Sequence, residues 1–174
     1  SIVTPKAQTT RHRIMGILNG DDYQIVYSDT PGILKKTSYQ MHEKMMHFVN
    51  ESVRDSDVLV LLIDIHGKEF SEDIKEKFHQ AKAKKIICIN KIDTSNQAEL
   101  ESALIQLKEE FAADVYLSIS ALNGFETETL EKYIVSFLPQ HPPYFPPDQL
   151  TDRSERFFVN EIIRNNILKI YSEE

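Results

Sequence analysis

The run from residue 58 to 63, Val-Leu-Val-Leu-Leu-Ile, is apolar without interruption and is closed by Asp64. A strand that is apolar on both faces offers no side to water and needs structure packed over each. It reads as a central strand of a parallel sheet. Two similar runs follow, at 86–89 and 115–119, and each also gives way to polar residues. Between and after the runs lie stripes at helical spacing. Ile74, Phe78 and Ala81 form one, with Ser71 as its cap. Leu100, Leu104, Leu107 and Phe111 form the next, and Leu130, Ile134, Phe137 and Leu138 a third, stopped by Pro139. Strands alternating with amphipathic helices build βαβ units, so the expected fold class is α/β, a mostly parallel sheet with helices on both faces.

Upstream, residues 13–18 and 23–28 are short strand candidates around Asn19-Gly20-Asp21-Asp22. Asn-Gly between such runs signals a hairpin, which predicts antiparallel neighbours. Met41, Met45, Phe48 or Val49, and Val53 then recur at helical spacing. Downstream, residues 139–147 hold five of the seven prolines. That stretch can be neither helix nor central strand and reads as a stiff linker at a domain boundary. Beyond it, Phe158, Ile162, Ile163, Ile167 and Ile170 make one more amphipathic helix.

Composition narrows the function classes. The chain has 174 residues, 41% hydrophobic and 27% charged, the profile of a globular domain with a short extension. Lys and Arg number 20 against 27 Asp and Glu, a formal charge of −7. That balance argues against the chain as a whole being a nucleic-acid clamp. A single cysteine, Cys88, excludes an internal disulfide framework and a multi-cysteine zinc site. No apolar run approaches the ~20 residues of a membrane helix. No secretory leader opens the chain, so a cytoplasmic setting is expected.

In an open α/β sheet, ligands bind outside the carboxyl ends of the strands. That directs attention to the loops beginning at Asp29, Asn90 and Ser120. In Asp29-Thr30-Pro31-Gly32, a carboxylate can hold Mg²⁺ through water, and glycine lets the backbone approach a terminal phosphate. The same tetrapeptide also serves as a plain turn. In Asn90-Lys91-Ile92-Asp93, a fixed carboxylate can accept two hydrogen bonds from the N1–H and exocyclic amine of guanine, a donor pair that adenine lacks. Asn90 can bond the other edge of the purine and neighbouring loops, and the Lys91 stem can cover one face of the ring. A solvated turn with an asparagine cap is the bland alternative. Ser120-Ala121-Leu122 can offer backbone N–H groups to the guanine oxygen, though Ser-Ala alone is common. All three loops follow strands, in the order and rough spacing of guanine-nucleotide-binding elements. The set reads as a GTPase domain.

Lys6-Ala7-Gln8-Thr9-Thr10-Arg11-His12-Arg13 ahead of the Asp-Thr-Pro-Gly loop resembles switch I of the Era family. Leu150-Thr151-Asp152-Arg153-Ser154-Glu155-Arg156-Phe157, followed by Glu161-Ile162-Ile163-Arg164, resembles the segment by which that family enters its KH-type RNA-binding domain. The resemblance covers essentially the whole chain. It implies a P-loop-NTPase-like fold, with residues 1–139 as the GTPase domain, 140–150 as the linker and 151–174 as the start of an α+β KH-type domain. It implies a GTP-hydrolysing switch that binds small-subunit ribosomal RNA during 30S assembly, with peripheral contact to the inner face of the cell membrane. Thr9 and Thr10 then correspond to the switch threonines, with Thr10 as ligand of Mg²⁺ and the γ-phosphate. They serve equally as hydroxyls at the start of a strand. Asp29 corresponds to the residue that holds Mg²⁺ through water, and Gly32 to the γ-phosphate sensor. Asn90, Lys91, Ile92 and Asp93 correspond to the base readers, with Ser120, Ala121 and Leu122 completing the pocket. Ile33 follows Gly32 where many GTPases place a water-orienting glutamine. Hydrolysis is therefore expected to be slow and to rely on backbone groups, Mg²⁺ and a monovalent cation such as K⁺ near switch I.

The sequence departs from the family in two respects. It contains no Gly-x-x-x-x-Gly-Lys-[Ser/Thr], the loop that cradles the α- and β-phosphates. The Gly-x-x-Gly of a KH domain is absent too. The 174 residues are accordingly expected to be an internal piece of a longer protein that binds nucleotide poorly on its own. The competing readings are another GTPase with the hydrophobic substitution, of the Der or tRNA-modification type, and a non-catalytic scaffold with a degenerate G domain.

Overall fold

The computed structural model describes residues 14–29, 51–67, 70 and 72–170. Thr9, Thr10, Thr30, Pro31, Gly32, Ile33, most of the helix expected from Met41 onward, and the Ser71 cap lie outside the described residues. The chain divides into two compact units, residues 53–141 and residues 1–52 with 142–174.

The first of these is the α/β unit. Its strands are β3 (Val58–Asp64), β4 (Lys84–Asn90) and β5 (Val115–Ser118), preceded in the chain by β1 (Ile14–Asn19) and β2 (Gln24–Asp29) of the other unit. They pair in parallel in the order β3-β4-β5. Helix α1 (Glu72–Gln80) connects β3 to β4, α2 (Gln97–Glu110) connects β4 to β5, and α3 (Thr127–Phe137) follows β5. The parallel α/β arrangement matches the sequence expectation, with one correction. β4, not β3, is the middle strand of the described sheet. Ile86, Ile87 and Cys88 are fully buried and Ile89 nearly so, whereas Leu62 of β3 is 57% exposed. An apolar run shows that a strand belongs to a sheet interior but not which neighbour takes the middle.

Alternation along β4 separates two faces. Ile87 and Ile89 join Ile63, Phe78 of α1, Leu107 of α2 and Phe111 in one core cluster. Phe111 stands at its centre, with Phe70 and Phe78 packed edge-on at 5.3 Å between ring centroids. Each such ring contributes roughly 1.5–3 kcal/mol through burial. Ile86 and Cys88 point to the opposite face. Lys84 shares their parity, and its ammonium lies over the Phe137 ring at the end of α3. Burial pushes the Cys88 thiol up to about 11, so it is an inert small apolar residue at neutral pH. Helix α2 begins on Asn96, whose side chain accepts the Glu99 N–H while its amide donates to the Glu99 carboxylate, a reciprocal cap.

The second unit holds the expected antiparallel hairpin. β1 (Ile14–Asn19) pairs with β2 (Gln24–Asp29) from Ile14 opposite Asp29 to Asn19 opposite Gln24. The strands run one residue further along than the Asn-Gly signal suggested. Asn19 belongs to the ladder, its side-chain carbonyl accepting from Gln24 Nε2 at 2.7 Å. Gly20 N–H donates to the Tyr23 carbonyl and closes a four-residue turn.

The proline-rich segment is hydrogen-bonded to this hairpin. The Gln24 amide accepts from the N–H groups of Tyr144 and Phe145 and donates to the Phe145 carbonyl. Asn19 donates to the Pro147 carbonyl, and Ile17 N–H to the Leu150 carbonyl. Thr151 bridges to Gly16, its hydroxyl donates to the Met15 carbonyl, and Met15 N–H donates to Asp152. The chain then enters α4 (Glu155–Ile170), where Val159, Ile162, Ile163 and Ile167 are half or more exposed.

Candidate functional site

Parallel pairing brings the carboxyl ends of the three strands of the α/β unit to one edge. Asp64 stands opposite Asn90, and Ile89 opposite Ser118. Three loops start there, after Asp64, Asn90 and Ile119.

The loop after β4 turns sharply. Lys91 has φ 65° and ψ 31°, the left-handed region that costs a side-chain-bearing residue about 1–2 kcal/mol. The turn lets Ile92–Thr94 form a short 3₁₀ helix that presents Asp93. Thr94 stabilises it by donating both its N–H (3.0 Å) and its hydroxyl (2.7 Å) to the Lys91 carbonyl.

The loop after β5 reaches across to the same residues. Ala121 N–H donates to Asn90 Oδ1 at 3.0 Å. The Ser120 hydroxyl donates to Asp93 Oδ1 at 2.5 Å. Ser120 is 2% exposed, so its hydroxyl has no competing water. Backbone bonds in both directions between Ser120 and Phe125 close the loop, with Gly124 at φ 69° between them. Ile119 N–H donates to the Ile89 carbonyl, and Ile92 N–H to that of Ile119, which fixes the two loops side by side.

Asn90, Asp93, Ser120 and Ala121, singled out from sequence, are therefore brought together and mutually bonded. Ile92 joins them through its backbone. Leu122 is 88% exposed beside them. The arrangement has a chemical capacity. Ser120 holds one oxygen of Asp93 and so fixes the carboxylate plane, while the remaining lone pairs can take two parallel N–H donors. Asn90 spends its carbonyl on the neighbouring loop and keeps its NH₂ as donor.

The sequence reading missed the contribution of β3. Asp64 Oδ2 pairs with Lys91 Nζ at 2.6 Å, and Asp64 Oδ1 accepts the His66 N–H. The Lys91 hydrogen bond, helped to a lesser degree by the His66 N–H, holds the Asp64 carboxyl below its usual value against the opposing effect of burial, and Asp64 holds the Lys91 ammonium above its own. The only signal available was Asp64 as the polar stop of an apolar strand.

Asp29 is the last residue of β2 and belongs to the other unit, as does the contact between the Ser28 and Ser52 hydroxyls at 3.2 Å. Among the described residues there is no cluster of metal-ligating side chains and no helix long and apolar enough to cross a membrane.

A parallel α/β sheet whose edge carries an Asn-Lys-x-Asp loop bonded to a Ser-Ala loop defines the GTPase class. The family model described as 50S ribosome-binding GTPase matches residues 1–91, more than half of the sequence, and the chain belongs to that family. Within it the likeness is to GTPase Era, as the switch and tail segments implied. The chain is 38% identical to GTPase Era of Alkaliphilus metalliredigens and 32% identical to that of Coxiella burnetii, in each case over 100% of this chain and 59% of the relative. It thus spans about three-fifths of the curated relatives it matches. Two solved structures cover all of it and 60% of their own chains. One is an Aquifex aeolicus Era variant bound to GDP and AlF₄⁻, with 29% identity and a TM-score of 0.87. The other is Era in complex with MgGDPNP and nucleotides 1506–1542 of 16S ribosomal RNA, with 32% identity and a TM-score of 0.85.

Proposed function

We propose that this chain carries the guanine-reading half of an Era-type GTPase, a protein that binds and hydrolyses GTP and serves 30S ribosomal subunit assembly. The observation that carries the reading is the Ser120–Asp93 contact, supported by the Ala121–Asn90 bond beside it. Together they preorganise a carboxylate for the N1–H and 2-amino group of guanine before any ligand arrives. Preorganisation of this kind lowers the entropic cost of binding. A degenerate scaffold has no need of it.

The remaining roles belong to the same proposal. Asn90, Lys91, Ile92 and Asp93 read the base, and Ser120, Ala121 and Leu122 line the pocket. Thr9 and Thr10 form the switch, and Asp29 to Ile33 the phosphate loop. The donor set assigned to the metal is a Thr10 hydroxyl and the Asp29 carboxylate, oxygen only, which fits Mg²⁺. When bound, Mg²⁺ would neutralise charge on the phosphate oxygens. K⁺ near switch I would assist. The sequence has no Gly-x-x-x-x-Gly-Lys loop, so the activity is proposed for the whole protein, whose relatives extend beyond this segment. Residues 1–139 act as the GTPase domain and 140–150 as the linker. Residues 151–174 open the KH-type region, through which 16S-type ribosomal RNA is bound. A cytoplasmic site of action with peripheral contact to the membrane completes the proposal.

The test is base selectivity of the native full-length polypeptide. It should bind GDP far more tightly than ADP. Asp93→Asn replaces an acceptor pair by one donor and one acceptor, which suits the C2 carbonyl of xanthine. Preference should therefore move from GDP towards XDP. Equal affinity for ADP and GDP, or an Asp93→Asn variant with unchanged preference, refutes the reading.

A further inference from the structure

The carboxyl end of β3 grips the guanine loop at one residue, and it does so twice. Asp64 pairs with the Lys91 side chain at 2.6 Å. His66, two residues on, reaches the Lys91 backbone through Thr94. The Thr94 hydroxyl has a single proton, which it donates to the Lys91 carbonyl at 2.7 Å. Its contact with His66 Nε2 at 3.0 Å must then have the imidazole as donor. A third link joins the same segments, from Ile65 N–H to the Asn90 carbonyl at 3.0 Å. The first two converge on the residue whose left-handed backbone produces the turn.

Folding does not explain the ion pair. The Lys91 and Asp64 side chains are 58% and 37% exposed, and exposed pairs add little to stability. The pair does fix geometry. A lysine stem has four rotatable bonds, and tethering its ammonium restricts them. The tether holds the Lys91 ammonium at the carboxyl end of β3.

We propose that Asp64 is a positioning residue for nucleotide binding. It anchors the Lys91 ammonium so that the lysine stem stands as a preformed wall for the face of the purine. His66 and Thr94 hold the backbone turn beneath it. This rests on the guanine-site reading above. It assigns Asp64 a role in how long the base stays, while Asp93 decides which base is chosen.

The experiment measures release of a fluorescent GDP from the native full-length polypeptide by stopped flow, together with thermal melting of the nucleotide-free protein. Asp64→Ala removes a charge-assisted hydrogen bond at a partly exposed site, so release should quicken by about tenfold. Asp64→Asn should give an intermediate rate, because its amide oxygen still accepts from Lys91. Lys91→Met keeps the stem but loses the tether, and should match Asp64→Ala. The double variant should be no faster than either single one. The melting temperature should stay unchanged throughout, and Asp64→Ala should retain the GDP-over-ADP ratio. Native release rates in Asp64→Ala, or additive effects in the double variant, overturn the proposal. A fall in melting temperature that accounts for the faster release does so too, since it marks a purely structural role. Failure of the guanine reading is seen separately, as an Asp93→Asn variant with unaltered base preference.

Discussion

Ser120→Ala deletes one oxygen, and the structure gives that oxygen two partners. It donates to Asp93 Oδ1 at 2.5 Å and accepts the Asn123 N–H at 3.4 Å. The second contact is long and weak, so the first decides the outcome. A hydrogen bond to a charged group contributes roughly 1.5–3 kcal/mol. Asp93 itself is exposed, and water recovers part of the loss on its side. The lower end applies, about 1.5 kcal/mol, which corresponds to a rise in Kd of roughly tenfold. A second effect follows from geometry. Without Ser120 the Asp93 carboxylate rotates, and the advantage of two parallel donors over one shrinks. The variant should therefore discriminate less between GDP and IDP, whose base lacks the 2-amino group. Titration of fluorescent GDP against the native polypeptide, with IDP as competitor, reads both quantities. A melting curve run in parallel separates loss of binding from loss of fold. A variant with native Kd and native GDP-to-IDP ratio would show that Ser120 does not orient Asp93.

Two predictions concern the α/β unit itself. Phe111 is 1% exposed between Phe70 and Phe78, so Phe111→Ala should cost about 3–5 kcal/mol; a urea midpoint close to that of the native protein would contradict the packing described. Stability should also fall on acidification. The Lys84 side chain, then the Lys85 N–H, hold the Asp114 carboxyl below its usual value, and Gln106 and then Lys75 do so for Glu110. The unfolded chain therefore binds more protons than the native one around pH 4, and the stabilisation present above that range is lost as pH drops through it. Melting temperatures measured from pH 7 to pH 3 should decline at the acid end and more gently in high salt, because these pairs are partly exposed. A melting temperature that rose below pH 4 would reverse the sign.

What the sequence revealed depended on how local each cause was. β4 was legible because Ile86 to Ile89 are buried by their own strand position, and the α2 stripe because its period is intrinsic. Asn90, Asp93 and Ser120 were legible by residue type and order along the chain. β3 was assigned to the right sheet but to the wrong place in it, since lateral order depends on neighbours. Asp64 carried no signal of its own. Its partner Lys91 is 27 positions away and meets it only because the parallel register sets Asp64 opposite Asn90. The hydrogen bonds of the proline-rich segment were equally hidden. They run from Gln24 and Asn19 to main-chain groups more than 110 residues distant.

That last feature bears on solubility. The outer rim of a two-stranded hairpin is a ladder of open valences on which a second copy could polymerise. Here the rim of β1 is already taken by the residues just after the prolines: the Leu150 carbonyl accepts the Ile17 N–H, Thr151 bridges to Gly16, and Asp152 accepts the Met15 N–H. The valences on which another copy could add a strand are filled from within the chain, so aggregation seeded from that side is discouraged.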